Sequence, residues 1–178
     1  MFKSILSGSF CLIALSACGG ESDSSTPQDE KITTKEQVFQ KLEDEGKLPK
    51  LERTDSILGI DQDQNGIRDD IDAYIKEKYT DELQKKAVQQ FARVSQLKLA
   101  VNLEDEVALQ ESSNEADRAT TCVYERFNND PNIDASEVID EIGSITRNTK
   151  KRLQAYYKYS DALDGFVFTI SQRDYCDE

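Results

Sequence analysis

Oxygen-bearing side chains alternate along the stretch 61–72, which reads Asp-Gln-Asp-Gln-Asn-Gly-Ile-Arg-Asp-Asp-Ile-Asp. Asp61, Asp63 and Asn65 stand at its first, third and fifth positions, and Gly66 follows them. Calcium takes six to eight oxygen ligands at once, and a glycine permits the sharp turn that lets alternate side chains converge on one ion. The spacing therefore predicts a calcium site with one backbone carbonyl, that of Ile67, and five side chains: Asp61, Asp63, Asn65, Asp69 and Asp72.

The same stretch resembles the calcium loop of EF-hand proteins, and it is more similar to the loops of dockerins and thrombospondin type 3 repeats. As in those loops, the last position is an aspartate and no regular helix leads in. Asp72 is shorter than the glutamate usual there, and Arg68 replaces the apolar residue through which paired EF-hands join. The sequence holds no second such loop. By analogy with extracellular modules, the resemblance implies a structural ion bound at about 10⁻⁵ to 10⁻³ M.

An ordinary turn is the alternative interpretation of this stretch. Asp, Asn and Gly cluster in turns, and acids are favoured at a helix start by the helix dipole. Four acids and an asparagine around one glycine would however repel one another without a cation. We therefore favour the metal site.

The first residues carry an export signal. Lys3 precedes an apolar run at 5–15, which has the length of a secretory segment and is too short to span a bilayer. The run ends in Leu15-Ser16-Ala17-Cys18, which resembles the bacterial lipobox, where a peptidase cuts before a cysteine that carries diacylglycerol. The resemblance implies a lipoprotein signal peptide at 1–17 and an acylated, palmitate-type Cys18 inserted in the bilayer; a plain secretory signal is the alternative. The same resemblance implies, from Gly19 in place of an aspartate, an outer-membrane location facing the periplasm or the cell surface.

The rest of the chain divides into a tether and one domain. Residues 18–32 are small, polar and acidic, so they cannot bury enough surface to order themselves, and we expect a flexible tether there. Residues 33–178 are numerous enough for a single domain with a real core. The net charge of the chain is −13, which repels phosphate backbones and makes nucleic acid an unfavourable partner. A protein partner in the envelope is compatible with this charge, and the oligomeric state is left open.

Two cysteines remain in the predicted domain, Cys122 and Cys176. An even pair in an oxidising compartment favours a disulfide. A disulfide between them would close a loop of roughly 55 residues and would stabilise the fold by about 4 kcal/mol in the chain-entropy account. Two free buried thiols are the alternative.

Apolar residues recur every three or four positions from Thr33 onward, which predicts a mainly α fold, a small antiparallel bundle. Thr33 or Thr34 caps a short first helix, with Glu36 or Gln37 as its reciprocal partner and Gly46 at its end. Two further helices are predicted after the acidic stretch, and Thr80 caps the second of them. The predicted apolar stripes of the three helices, in chain order, are Val38, Phe39, Leu42; Ile71, Tyr74, Ile75, Tyr79; and Leu83, Ala87, Phe91, Val94, Leu97, Val101.

The second half predicts three further helical segments. Ser112-Ser113-Asn114 indicates a break before the first of them, and Gly165 ends the last, which covers roughly 149–163. A short apolar run at 166–170 is a small strand or core packing. The inward residues are predicted to be Ala116, Ala119, Val123, Phe127; Val138, Ile139, Ile142, Ile145; and Leu153, Tyr156, Tyr157.

No motif predicts catalysis. Histidine is absent from the sequence, which removes the usual general base at neutral pH, and no glycine-rich phosphate loop occurs. The cluster Tyr156, Tyr157 and Tyr159 lines a binding groove or, more commonly, packs into a core. We expect a non-enzymatic binding or scaffolding lipoprotein. An inhibitor or immunity-type lipoprotein that blocks a basic toxin or hydrolase is the second hypothesis, and an envelope enzyme with a carboxylate site is the third.

Overall fold

The computed structural model describes residues 34–166 and 174–177. Within those ranges it contains no strand, and the mainly α bundle is confirmed. The signal peptide at 1–17, Cys18 and the tether at 18–32 lie outside the described residues. The helices are α1 Lys35–Asp44, α2 Asp69–Lys78, α3 Glu82–Leu97, α4 Glu106–Phe127, α5 Ala135–Thr146 and α6 Lys150–Ala162.

Helices α2 to α5 enclose the core. Helix α3 packs against α2, α4 and α5, and α5 also contacts α2 and α4. The apolar stripes of the four helices meet there because each large side chain removed from water stabilises the fold by about 1.5–3 kcal/mol. The core side chains include Ile71, Ile75, Tyr79, Ala87, Phe91, Val94, Ala116, Ala119, Val123, Phe127, Val138, Ile142 and Ile145.

The ends of α1 follow their predicted signals. Thr34 is the N-cap, its hydroxyl accepts from the Gln37 amide at 3.3 Å, and the Gln37 side chain accepts from the Thr34 amide at 2.9 Å. Gly46, just past the end of the helix, has a φ of 69°. A backbone of that kind favours glycine and stops the helix.

The predicted apolar stripe of α1 is wrong in part. Val38 and Phe39 are 46% and 48% exposed, whereas Glu43 is buried and accepts from the Leu51 amide at 3.2 Å. Arg53 lies over the Phe39 ring at 5.6 Å and pairs with Glu43 at 2.5 Å. The helix is therefore attached by polar contacts to the segment that follows it rather than by an apolar face.

Two boundary predictions fail in the middle of the chain. Helix α3 is capped by Asp81 and not by Thr80, because the Asp81 carboxylate accepts from two free amides of the first turn at 3.0 and 2.9 Å. Its predicted stripe is buried only at the centre: Leu83 and Leu97 are about half exposed, and Val101 lies beyond the helix end.

The predicted break at Ser112-Ser113-Asn114 is also wrong, because α4 runs through it. Ser112 and Ser113 face inward, and the Ser112 hydroxyl donates to the Tyr159 hydroxyl oxygen at 3.3 Å. A tertiary hydrogen bond thus satisfies a side chain whose local preference is for turns.

Helix α6 has the predicted extent but a different inward face. Thr149 is its N-cap, and Gly165, with a φ of 83°, follows its end as predicted. Leu153 and Tyr157 are 37% and 57% exposed, while Arg152 and Tyr159 are buried. The apolar run that begins at Phe166 continues outside the described residues.

Candidate metal site

The backbone of the metal loop (residues 61–72) is folded by its own side chains. The Asp61 carboxylate accepts from the amides of Asn65 at 3.2 Å and Gly66 at 2.9 Å. The Asn65 side-chain oxygen accepts from the Ile67 amide at 2.8 Å. Gln64 and Gly66 have positive φ angles of 58° and 83°. These turns bend the chain so that its first half faces the start of α2.

Three of the predicted ligands are brought together. One carboxylate oxygen from each of Asp61, Asp63 and Asp69 lies within 4.8 Å of the other two. Asp69 is held there because its amide donates to the Ile60 carbonyl at 2.8 Å and its carboxylate accepts from the Gln62 amide at 3.0 Å. Two oxygens at the calcium bonding distance of about 2.4 Å from one ion are at most about 4.8 Å apart. The spacing of the three carboxylates therefore matches a shared cation.

Asp72 stands apart from that group. It is only 5% exposed, accepts from Gln89 at 2.9 Å and pairs with Lys76 at 2.5 Å. Its carboxylate contacts the rest of the loop through the Asn65 side-chain amide, which donates to Asp72 at 3.4 Å and to Asp63 at 3.0 Å. If Asp72 were a ligand, it would bind the ion beside the Lys76 ammonium group, which already neutralises its charge.

The side chain of Ile67 is buried in the core at 1% exposure. Its burial anchors the middle of the loop, and the predicted ligand is its carbonyl rather than this side chain.

The electrostatics of the loop favour positive charge. Hydrogen bonding to Asp72 raises the pKa of Lys76, and the nearby carboxylates of Asp63 and Asp69 raise it further. Gathering like charges is unfavourable unless a counter-charge is supplied. Lys76 supplies part of that charge on the Asp72 side, and the group formed by Asp61, Asp63 and Asp69 is suited to a divalent cation.

A buried charge network beneath the loop is absent from the sequence predictions. Arg68 is fully buried, and its guanidinium donates to the Asp70 carboxylate at 2.5 and 2.9 Å and to the Ile145 carbonyl at 3.1 Å. The Asp70 carboxylate also accepts from the Glu52 amide at 2.7 Å. Arg68, the unusual residue at the eighth loop position, therefore joins the loop to α5. Through Asp70 it also joins the loop to the extended segment that precedes the loop in the chain.

Arg152 on α6 completes this network. It is fully buried and donates to the Glu52 carboxylate at 2.9 Å, to the Glu52 carbonyl at 2.8 Å and to the Ile57 carbonyl at 3.1 Å. Burial and the neighbouring Arg68 charge lower the pKa of Arg152, and Glu52 opposes this. Burial alone would raise the pKa of Glu52, but hydrogen bonds from Thr54 and Arg152 lower it overall. We call Arg68, Asp70, Glu52 and Arg152 the arginine network.

The only sequence signal for this network was the departure at Arg68 from the loop pattern. Arg152 follows two lysines, and such a run is ordinarily a solvated surface. Nothing local distinguishes the buried arginine from its neighbours.

A groove of about 770 Å³ opens between the end of α1 and the helices α2 and α5. On its wall, Tyr74 donates to Glu141 at 2.5 Å, and Lys78 donates to Glu141 and, at 3.0 Å, to the Tyr74 hydroxyl. Burial, followed by the bond to Glu141, raises the pKa of Tyr74. The Tyr79 hydroxyl also donates to Glu141 at 3.4 Å, so three donors share this carboxylate and the cluster joins α2 to α5.

The predicted tyrosine cluster divides among three environments. Tyr159 is buried, Tyr156 is covered by the Arg147 guanidinium at 4.3 Å from its ring centre, and Tyr157 is exposed. The Tyr156 and Tyr157 rings contact each other, with 6.1 Å between their centres, whereas the Tyr159 hydroxyl accepts from Ser112 inside the fold. Neither interpretation, groove lining or core packing, therefore fits all three tyrosines.

Cys122 and Cys176 lie at disulfide distance, with 5.0 Å between their Cα atoms. None of the helices in residues 34–166 is both long and apolar enough to cross a membrane. No protein-family model, curated protein or solved structure matches this chain.

Proposed function

We propose that this chain is an envelope lipoprotein, anchored through acylated Cys18, whose helical domain binds one calcium ion and serves a non-enzymatic binding or scaffolding role. The observation that carries the metal proposal is the convergence of the Asp61, Asp63 and Asp69 carboxylates within 4.8 Å. Calcium is the hard, oxygen-seeking cation to which such a donor set is suited. The residue order Leu15-Ser16-Ala17-Cys18 supports the anchor.

The ion would have a structural task. Asp69 begins α2, and Asp61 and Asp63 belong to the segment that leads into it. A cation shared by them would pin the extended segment to the first core helix. Asp72 is short and already paired with Lys76, so we expect moderate affinity, about 10⁻⁵ to 10⁻³ M. Extracellular calcium is abundant enough to fill a site of that strength.

Calcium titration of the purified protein tests the metal proposal. The melting temperature should rise with calcium, since a ligand at a hundred times its Kd adds about 2.7 kcal/mol to stability. The double substitution Asp61→Asn with Asp63→Asn should abolish the rise, because it removes two charges and keeps the side-chain shapes. Asp55→Asn, at an exposed acid outside the loop, should leave the rise intact. Equal shifts in all three proteins at millimolar calcium would contradict the proposal.

Metabolic labelling with a palmitate analogue tests the anchor. The wild-type chain should take up label and sediment with membranes, and Cys18→Ser should lose both properties. Cys11→Ser is the matched control, because it removes a cysteine from the predicted signal peptide and should leave labelling unchanged. A labelled Cys18→Ser protein would refute the assignment.

A further inference from the structure

The last described residues, 174–177, are fastened to α3 and α4. Gln90 donates to the Tyr175 carbonyl at 2.9 Å and accepts from the Asp177 amide at 3.0 Å. Arg118 donates to the Asp177 carboxylate at 2.7 Å. Cys176, between these contacts, lies at disulfide distance from Cys122 of α4. The position of Asp177 is therefore set by two helices and one covalent link.

Arg93 of α3 joins this tail to the metal loop. Its Nη1 donates to the Asp177 carboxylate at 3.1 Å, and its Nε donates to the Asn65 carbonyl at 3.1 Å. The stem of the side chain crosses Gly66, where an added Cβ would stand 2.9 Å from the Arg93 Cγ. Gly66 thus serves the positive φ of the turn and also leaves room for the arginine.

The two contacts of Arg93 depend on each other. Its side chain is 45% exposed, and a long side chain at that exposure samples several rotamers unless both ends are held. Asp177, shared between Arg93 and Arg118, holds the guanidinium so that its Nε faces the Asn65 carbonyl. Without Asp177 the guanidinium is free to leave the loop backbone or to turn towards the loop carboxylates, where a positive charge competes with a bound cation.

We propose that Arg93 is a positioning residue for the metal loop and that, through Asp177, it couples the cation affinity of the loop to the Cys122–Cys176 link. This inference rests on the proposed calcium site. Coupling between two sites is reciprocal, so calcium in the loop also stabilises the docked tail. Groups that orient metal ligands from outside the ligand set change metal affinity by about 10- to 100-fold at buried sites. At this half-exposed pair we expect about three- to tenfold on the same basis.

Calorimetric titration of the purified protein with calcium tests the proposal. Asp177→Asn should weaken calcium binding about three- to tenfold, and so should the double variant Cys122→Ala with Cys176→Ala. Asp174→Asn, at an exposed acid of the same tail, is the matched control and should bind as the wild type does. If Asp177→Asn and wild type bind calcium equally, the inference is overturned and the calcium site stands.

Hydrogen exchange of the Gly66 and Ile67 amides, measured without metal, gives a second readout. Exchange should be faster in Asp177→Asn than in Asp174→Asn if Arg93 positions the loop, whether or not the cysteine variant folds. If the wild type binds no calcium, the proposed function fails, and this exchange alone decides the role of Arg93. Equal exchange in the two variants would overturn it.

Discussion

The carboxylate group of Asp61, Asp63 and Asp69 and the arginine network are both made of charged side chains, and both include residues of the metal loop. On the solvent side, the carboxylates of Asp61, Asp63 and Asp69 gather with no basic partner among them. On the core side, Arg68 is fully buried, its single charge is paired with the Asp70 carboxylate, and the Ile145 carbonyl accepts a further hydrogen bond from it. The first group could hold an added cation, whereas the charges of the second are paired within the chain.

This difference separates binding from stability. Exposed charges in water interact weakly and are easily changed, so their cluster is free to serve a ligand. Buried charges are costly when any partner is missing, so the arginine network fixes how the segment 51–60 lies against α5 and α6. The arginine network holds the loop on its buried side, so an ion would bind to a loop whose position is already fixed.

The largest expected effect lies on the core side. Arg152→Met should lower the free energy of unfolding by about 3–5 kcal/mol, because it removes the buried charge that pairs with the Glu52 carboxylate and the donor to the Ile57 carbonyl. Chemical denaturation measures this. Lys151→Met is the matched control at an exposed position of the same helix, and methionine suits a helix as well as either residue. Loss of stability of equal size in both variants would show that the network contributes nothing of its own.

The contrast also explains what the sequence could predict. The loop was found because its donors are neighbours in sequence and follow a fixed spacing. The partners of the network lie far apart: Arg152 bonds to Glu52 across 100 residues, and Arg68 to Ile145 across 77. Sequence patterns relate residues that are near one another in the chain, so they predicted no role for Arg152 or Glu52.

Glycine at position 59 provides a smaller and more local way to disturb the network. Gly59 has a φ of 72°, and an added Cβ would overlap the side chains of Arg68 and Glu52. Gly46 has a similar φ of 69° with open space around it. Gly59→Ala should therefore cost more than Gly46→Ala, for which backbone strain alone predicts about 1–2 kcal/mol. Equal melting temperatures of the two variants would mean that the overlap is relieved without cost.

Helix positions show the same limit on prediction. Periodicity located the core residues of α2, α4 and α5 because those stripes face one another. It failed for Val38 and Phe39, because α1 is attached through the contacts of Glu43 instead, and at Ser112, whose hydroxyl donates to Tyr159 on α6. The cap of α3 shifted by one residue because Thr80 and Asp81 are both good caps.

Acid should destabilise the fold through Glu52 of the arginine network. The pKa of Glu52 in the folded protein lies below its usual value of 4.5. A lowered pKa means that Glu52 stabilises the fold above about pH 4.5 and that this stabilisation is lost as the pH falls through the folded pKa. Unfolding measured against pH should therefore show a steeper acid loss for the wild type than for Glu52→Gln. Glu125→Gln, at an exposed acid of α4, should retain the wild-type slope.

The smallest expected effect lies on the solvent side. In the presence of a chelator, Asp63→Asn should change the free energy of unfolding by no more than about 0.5 kcal/mol, because the side chain is exposed. An asparagine oxygen can still accept from the Asn65 amide, as Asp63 does at 3.2 Å, and the lost charge relieves repulsion from Asp61 and Asp69. With calcium added, the same substitution should reduce the gain in melting temperature. A large loss without metal would mean that Asp63 holds the fold together, and the division between an exposed binding side and a buried stabilising side would then be wrong.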